Sequence, residues 1–244
     1  MRYLWKKLIV SGCLTALTLM AGCARPVNKD SPIDPYEKIN RKFFSFNRAV
    51  DSLVLRPVAT AYATIIPGTL RKGVSNFFDN FEDVTTTAND VLQARFTQAY
   101  SDSWRVIFNS TIGIGGLFDV ASHIGLHKHY EDFGLTMAYW GQNRSAYLDL
   151  PIIGPSTFRD SFGKMVDLFA LSPWPYIRPM SLDYELYGVY LMDVRSQLLP
   201  ANELIAQAFD PYVFVRDAYL QTRDKLVRDN ETKPGGIERY SSGT

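Results

Sequence analysis

The three histidines of the chain stand close together and are the first candidates for metal chemistry. In "HIGLHKH", His123 and His127 are four residues apart, a spacing that places two imidazoles on one helix face, where they can bind zinc. Gly125 interrupts that helix, and no glutamate follows His123 to act as a metalloprotease base. With His129 nearby, the pattern favours a polar loop over a metal site.

Motifs for nucleophilic and nucleotide chemistry are incomplete. Ser75 in "GVSNF" and Ser156 in "GPSTF" lack the second glycine of G-x-S-x-G, which permits the strained turn around a nucleophile. "GIGGLF", residues 113–118, has phenylalanine in place of the third glycine of a dinucleotide loop, and G-x-x-x-x-G-K-[ST] does not occur. We expect the adjacent carboxylates Glu82-Asp83 and Glu131-Asp132 to be solvated. The sequence therefore predicts no enzyme, no metal and no cofactor.

Covalent chemistry is predicted at Cys23 alone. Basic residues precede an apolar run, residues 8–20, that is too short to span a bilayer, and Ala21-Gly22 lead to the cysteine. This order is typical of a secretory signal peptide, residues 1–22. Its end, "LMAGC", resembles a bacterial lipobox, in which the cysteine becomes the first mature residue and is acylated on its sulfur and its amine. The alternative is an ordinary signal peptide followed by an accidental cysteine.

The residue after Cys23 predicts the address of the anchor. Ala24 stands where an aspartate typically retains lipoproteins at the inner membrane, so we expect the periplasmic leaflet of a Gram-negative outer membrane. Each buried acyl methylene contributes about 0.8 kcal/mol, and one chain alone holds a protein marginally. The three chains that the lipobox implies make release very slow. Cys13 lies in the removed segment, so the mature chain has one cysteine and no internal disulfide.

Charge and length bound what the mature chain can be. Removal of the signal peptide leaves 222 of the 244 residues, with 23 of the 26 basic residues against 25 acidic ones. This balance excludes the strongly basic surface of a nucleic-acid-binding protein, and the length suits one domain. We predict a lipidated tether at residues 23–33, a helical domain at 34–229 and a disordered tail at 230–244.

Helical periodicity dominates the predicted domain. Asp34, Pro35 and Glu37 give the signals of a helix start, and Arg56-Pro57 is predicted to end that helix. Helices are also predicted for residues 182–199 and from Asp210-Pro211 onward. Apolar residues recur at spacings of four and three, as in amphipathic helices, in three sets: Ile39, Phe43, Phe46, Val50 and Leu53; Leu70, Val74, Phe77, Phe81 and Val84; and, more loosely, Phe96, Tyr100, Trp104, Ile107 and Phe108.

Residues 134–160 show no clean period and are not assigned to regular structure. Their Tyr139, Trp140 and Tyr147 have apolar rings with polar tips, which suit a membrane boundary. Core aromatics beneath loops explain the same residues equally well. Alternating strand patterns of any length are absent from the chain, so the predicted class is mainly α, in a single domain of several helices.

Several blocks, in order, carry a likeness to one family. After the lipobox come "DPYEKINRKFFSFN", "RPVA" at 56–59, "GVSNFFDN" at 73–80, "NSTIGIGGLFDVA" at 109–121, "EDFGLTMAYWG", "LPIIGPSTFRD" at 150–160 and "DPYVFVRDAY" at 210–219. Together these blocks resemble the MlaA (VacJ) family over roughly residues 31–232. One block departs: where members often show G-V-G-x-G-P-Y, this chain has "GQNRSAY" at 141–147, which puts the conformation of that loop in doubt.

The resemblance implies a function and an architecture. Members of the family are outer-membrane lipoproteins that remove phospholipid mislocalised to the outer leaflet. They form a helical ring in the inner leaflet around a central amphipathic channel, associate with trimeric porins and pass lipid to a soluble periplasmic carrier, MlaC. The expected ligand is therefore phospholipid, beside the covalent lipid on Cys23. A structural lipoprotein that scaffolds a porin is the alternative, and a lipoprotein phospholipase is a weaker one.

The uncharged segment between Arg105 and Asp119 supplies the candidate lipid-path residues. Its 13 residues are fewer than the roughly 20 that a membrane-spanning helix needs, and they fit a body sunk into one leaflet. Phe46 and Asn47 are weaker candidates for a channel wall; they equally suit one core residue and one solvent-facing amide. The main candidates for lining or gating the path are Ile112, Gly113, Gly115, Gly116, Leu117 and Phe118. The alternative is that these glycines form a tight helix–helix contact in the core.

Overall fold

Helices make up most of the computed structural model, which describes residues 33–232. In chain order they are α1 Glu37–Val50, α2 Arg56–Ile65, α3 Gly68–Leu92, α4 Phe96–Thr111, α5 Val120–His123, α6 Phe133–Tyr139, α7 Phe158–Val166, α8 Met180–Gln197, α9 Ala201–Gln207 and α10 Pro211–Thr232. Between α7 and α8 lie a π-helical segment, Asp167–Leu171, and a 3₁₀ turn, Trp174–Tyr176. The predicted mainly α class is confirmed. The signal peptide, Cys23 and residues 24–32 of the tether lie outside the described residues.

The first helix does not end at Arg56-Pro57, so that prediction was wrong. α1 passes through a π-helical turn at Asp51–Leu55 and continues as α2. In this turn the backbone N–H of Arg56 donates to the carbonyl of Asp51, five residues back rather than four. The wider turn accommodates the missing N–H and the ring of Pro57, which a regular helix cannot do without breaking a hydrogen bond.

Asp34 does not cap α1, which begins after Tyr36 without a side-chain cap. Its carboxylate is buried and accepts hydrogen bonds from Asn40 Nδ2 at 2.8 Å, from the Tyr212 hydroxyl at 2.5 Å and from Arg216 Nη1 at 3.2 Å. Asp34 forms an interior ion pair with Arg216, so it is not available to cap α1 as predicted. Asp34 thereby joins the beginning of the described chain to α10.

The helices predicted near the C-terminus are confirmed. α8 covers most of residues 182–199, and α10 begins at Pro211, where Asp210 Oδ1 accepts from the N–H of Tyr212 at 3.0 Å and of Val213 at 3.3 Å. This arrangement is an N-cap of the expected kind. α10 continues to Thr232, three residues into the segment predicted as a tail, and the remainder of that segment lies outside the described residues.

A short β-hairpin occupies part of the segment that the sequence left unassigned. β1, Tyr147–Leu150, pairs antiparallel with β2, Gly154–Thr157, with Tyr147 opposite Thr157. Strands of four residues are too short for alternation to be recognised against the background. Each of the two interpretations of the aromatic residues fits some of them. Tyr147 is buried, as expected of a core aromatic, whereas Tyr139 and Trp140 are exposed.

The helices turn their polar faces inward. On α4 the buried side chains include Asp102, Arg105 and Asn109, while the predicted apolar face, with Phe96 and Tyr100 each 67% exposed, lies outside. Over the described residues, buried polar and charged side chains outnumber buried apolar ones. None of the helices described here is both long and apolar enough to cross a bilayer.

Close helix pairs place the polar side chains opposite one another. α3 packs along α4, α2 against α8, and α6 against both α7 and α10. Only three residues connect α3 to α4, and Ala94 among them adopts a φ of +57°. A connection this short makes the two helices antiparallel neighbours. It brings Asp83 of α3 next to Arg105 of α4.

Candidate functional site

The glycine loop, residues 112–118, carries apolar side chains into the open. The exposed members are Ile112, Ile114, Leu117 and Phe118, with Ile114 at 65%. The backbone of the loop is nevertheless hydrogen-bonded: Gly116 N–H donates to Asn109 O at 2.8 Å, and Phe118 N–H to Gly113 O at 2.9 Å. Because hydrocarbon offers no hydrogen bonds, a segment of this kind suits a lipid environment.

Each of the three candidate glycines of this loop is favoured over other residues for a different structural reason. A Cβ on Gly113 would lie 2.2 Å from Phe118 O and 2.5 Å from Asn109 O. Gly116 has a φ of +95°, and a Cβ there would lie 2.9 Å from Asn80 Cβ on α3. Gly115, at a φ of +69°, faces open space. Gly113 and Gly116 therefore fit the packing alternative, and the exposed side chains of the loop are the apolar ones.

Beneath the glycine loop, Arg105 joins α3, α4 and the end of the loop. Its side chain is buried, with Nε donating to Asp83 Oδ2 at 3.1 Å and Nη2 to Asp119 Oδ1 at 3.3 Å. Asp119 also accepts from Asn109 Nδ2 at 3.1 Å and from the N–H of Ser122 at 3.2 Å. Asp83 is thus buried in an ion pair, and the expectation that it is solvated was wrong.

The two carboxylates bound by Arg105 differ in their protonation energetics. Desolvation raises the pKa of Asp83 to about 6, although Arg105 opposes the shift, and Asp83 Oδ1 has no partner among the described residues. Asp119 is partly exposed, and although desolvation raises its pKa, hydrogen bonds from Ser122 and the charge of Arg105 bring the pKa below its usual value. The end of the loop is therefore held by an ionised aspartate.

The pair Glu131-Asp132 is also engaged rather than solvated. Glu131 is buried and accepts from Arg95 Nη1 at 3.0 Å. Asp132 caps α6 by accepting from the N–H of Leu135 at 2.8 Å, and it accepts from Arg223 Nη2 at 2.9 Å. The physical reason is the inward polar face of the helices. Sequence reasoning missed these buried arginines because Arg223 lies on the polar face of α10 and Arg95 in the short connection before α4, and both kinds of position would normally be assigned to solvent.

Phe46 and Asn47 have separate environments. Phe46 is exposed, whereas Asn47 is hydrogen-bonded to the hairpin: its Nδ2 donates to Asp149 Oδ1 at 2.7 Å and to Leu150 O at 2.9 Å, and its Oδ1 accepts from Ile152 N–H at 2.7 Å. Asn47 thus clamps the turn of the hairpin to α1 and does not simply face solvent. The glycine loop packs on α3 and α4 instead. The two groups of candidate residues, Phe46 with Asn47 and the glycine loop, therefore lie on different parts of the structure.

The histidines do not form a metal-binding cluster. His123 is the last residue of the four-residue α5, so it shares no helix face with His127. His129 Nδ1 lies 3.1 Å from Asp102 Oδ1. Within residues 33–232 no three or more His, Cys, Asp or Glu side chains are arranged to hold a metal ion.

Comparisons with known proteins agree on one family. The family model described as MlaA lipoprotein matches residues 32–226. An uncharacterised protein of Rickettsia typhi is 36% identical over 196 residues, covering 80% of this chain and 78% of that protein. The intermembrane phospholipid transport system lipoprotein MlaA of Escherichia coli K12 is 34% identical over 235 residues, covering 93% of this chain and 92% of the relative.

A solved structure gives the same result for the fold. It was described as the structural basis for maintenance of bacterial outer membrane lipid asymmetry, and its chain is similar to this one with a TM-score of 0.70 and 32% identity. The match covers 80% of this chain and 98% of that chain. The likeness therefore extends over nearly all of the solved chain.

Proposed function

This chain belongs to the MlaA lipoprotein family, and from that membership we propose that it is an outer-membrane lipoprotein that removes mislocalised phospholipid from the outer leaflet. It sits in the periplasmic leaflet, anchored through Cys23, beside a trimeric porin. It passes phospholipid through a central channel to a soluble periplasmic carrier of the MlaC type. The names of the relatives support the transport of phospholipid between membranes.

One observation carries this proposal: the body exposes large apolar side chains and buries ionised ones. Exposing apolar surface to water costs roughly 25 cal/mol for each Å², and soluble monomers rarely show large contiguous apolar patches. When acyl chains surround the body instead, that cost disappears. The interior ion pairs, such as Arg105 with Asp83, then hold together a protein whose exterior hydrophobic faces are occupied by lipid.

The transport step itself needs a surface rather than covalent chemistry. A phospholipid crosses a bilayer slowly because its charged headgroup must leave water. A path with polar groups for the headgroup and apolar groups for the tails lowers that barrier. We assign Ile112, Leu117 and Phe118 to the apolar side of such a path, with Phe46 as a second apolar contact. The free energy for net lipid movement comes from the lipid gradient or from binding to the downstream carrier.

Lipid transfer between vesicles tests the proposal. The full-length lipidated protein is placed in donor vesicles containing a fluorescent phospholipid, and transfer to acceptor vesicles is followed without ATP. The wild-type protein should accelerate transfer. Leu117→Asn should slow this transfer about tenfold, whereas the matched exposed variant Leu70→Asn on α3 should not. A chain that moves no phospholipid and carries none in native mass spectrometry would be a scaffold, and released fatty acid would identify a phospholipase.

A further inference from the structure

A cavity of about 430 Å³ lies between the loop that precedes the hairpin, the start of α7 and the middle of α10. This volume falls within the range of small-ligand sites, about 300–1,000 Å³. Its wall includes three arginines and one aspartate: Arg144, Arg159, Arg223 and Asp224. Arg144 lies in the segment 141–147, where the sequence departs from the glycine-rich pattern of its family.

Two of these arginines are buried and held in fixed positions. Arg159 Nε donates to Asp160 Oδ1 at 2.9 Å, and its Nη1 donates to the carbonyl of Asn143 at 3.3 Å. Arg223 Nη2 donates to Asp160 Oδ1 and to Asp132 Oδ1, both at 2.9 Å. The two aspartates balance these charges from within the protein. Because the guanidinium groups are already ordered, little side-chain entropy is lost when a ligand binds.

Donor capacity remains at the cavity. The Nε of Arg223 is buried and has no hydrogen-bond partner among the described residues. Arg144 is exposed and forms no ion pair within residues 33–232. A guanidinium is the side chain best suited to phosphate, which it binds through paired, charge-assisted hydrogen bonds. An uncompensated arginine beside two ordered ones therefore favours a phosphate group at this wall.

Asp224 adds the opposite charge to the same wall. It is exposed and, like Arg144, lacks an ion-pair partner in the described part of the chain. A carboxylate repels a purely anionic ligand and attracts an ammonium group. Apolar surface at the cavity comes from Ile33 and Leu220, which suits the glycerol end of a lipid. The combination matches a ligand that carries a phosphate, an ammonium group and the glycerol end of a lipid.

We propose that this cavity binds the headgroup of a zwitterionic phospholipid, with the phosphate at the arginines and the ammonium group at Asp224. The inference rests on the proposed transport function, and it assigns that function a headgroup preference. A phosphate diester with an ethanolamine head should bind more tightly than one with a glycerol head. Inorganic phosphate, which has no ammonium group and no glycerol substituent to contact Ile33 and Leu220, should bind less tightly than both.

Titration with soluble headgroups tests this assignment. The full-length protein in a phosphate-free detergent is titrated with glycerophosphoethanolamine, glycerophosphoglycerol and inorganic phosphate, and binding is followed by ³¹P NMR. Arg144→Gln should weaken both diesters about fivefold. Asp224→Asn should weaken the ethanolamine ligand about threefold and leave the glycerol ligand unchanged or improved, so the preference disappears. Arg48→Gln and Glu203→Gln, exposed residues away from the cavity, are the matched controls.

Other outcomes contradict either the assignment or the transport function on which it rests. If wild-type protein binds none of the ligands, or if Arg144→Gln behaves like Arg48→Gln, the cavity is not a headgroup site. If inorganic phosphate binds as tightly as the ethanolamine ligand, the site takes free phosphate instead. Lipid transfer is measured separately: a chain that transfers lipid with no headgroup binding refutes this inference alone, and one that binds headgroups but transfers no lipid refutes the transport function.

Discussion

Buried carboxylates are the most informative single residues of the molecule. Asp149, on β1, is buried and receives a hydrogen bond from Asn47, yet burial raises its pKa to about 6. The native protein therefore binds more protons than the unfolded chain between about pH 4 and pH 6. Stability contributed through this group falls as the pH rises across that window, because the ionised form is disfavoured in the folded state.

Asp149→Asn should remove this pH dependence. The asparagine keeps an oxygen for the Asn47 hydrogen bond and never ionises. We expect the free energy of unfolding of the variant, relative to the wild type, to increase by about 1–3 kcal/mol between pH 4 and pH 7. Thermal unfolding in detergent at both pH values measures this, with Asp183→Asn on α8 as the control. A constant difference between variant and wild type would show that Asp149 ionises without cost.

Arg105→Met should be the most damaging change near the glycine loop. Methionine leaves Asp83 buried without its cation and removes the support of Asp119. Breaking a buried ion pair from one side costs about 3–5 kcal/mol, so we expect a loss of this size in unfolding free energy. Arg48→Met, an exposed arginine on α1, should cost little. An equal effect of the two variants would mean that the Arg105 network does not stabilise the fold.

At the scale of elements, the glycine loop combines close backbone packing with exposed apolar side chains. Gly113→Ala would place a Cβ 2.2 Å from Phe118 O, and backbone must move to admit it. We expect a loss of about 2–4 kcal/mol in unfolding free energy. Gly68→Ala at the start of α3 meets nothing within 4 Å and is the matched control. If both glycines tolerate alanine, the close approach of Gly113 to Phe118 O does not restrict the side chain at position 113.

The hairpin depends on α1 through Asn47. Asn47→Ala removes three hydrogen bonds to the hairpin, two to β1 and one from the Ile152 N–H of the turn. We expect the amides of Leu150, Ile152, Ile153 and Gly154 to exchange with deuterium about fivefold faster, since one net hydrogen bond contributes about 1 kcal/mol. Ser45→Ala, which loses one exposed hydrogen bond to Arg41 O, is the control. Unchanged exchange would indicate that the strands alone fix the turn.

The sequence predicted the five longest helices, and the failures have identifiable physical causes. Spacings of four and three found α1, α3 and α4, because any amphipathic helix shows them. The prediction at Pro57 failed because a π-helical turn relieves a proline, and no residue type marks such a turn. The hairpin was missed because its strands are short.

The candidate site was less predictable than the helices. An amphipathic pattern defines two faces and leaves open which one meets the solvent. Asp83 was therefore placed in water, although it lies opposite Arg105 inside the protein. Asn47 was a candidate for a channel wall, but its hydrogen-bond partner Asp149 lies 102 residues away, and sequence alone does not connect the two.

At the scale of the whole molecule, the exterior should bind membranes without its anchor. We expect the mature chain with Cys23→Ser to float with phospholipid vesicles and to resist release by high salt, because apolar contact is not screened. Replacing exposed Phe96 and Ile107 of α4 by glutamate should reduce the floating fraction several-fold, while Thr97→Glu should not. A Cys23→Ser chain that remains dissolved in buffer would contradict the whole arrangement.

The inward polar faces also set how this chain can vary. In a water-soluble protein, the surface accepts most substitutions and the interior accepts mainly substitutions by other apolar residues. Here a saturation mutagenesis library should show a different pattern: exposed positions such as Phe96 and Ile107 should accept mainly apolar residues, and buried Asp102, Arg105 and Asn109 should accept almost no substitution. Lineages of this fold would then drift along their hydrophobic positions while their charged interiors stay fixed.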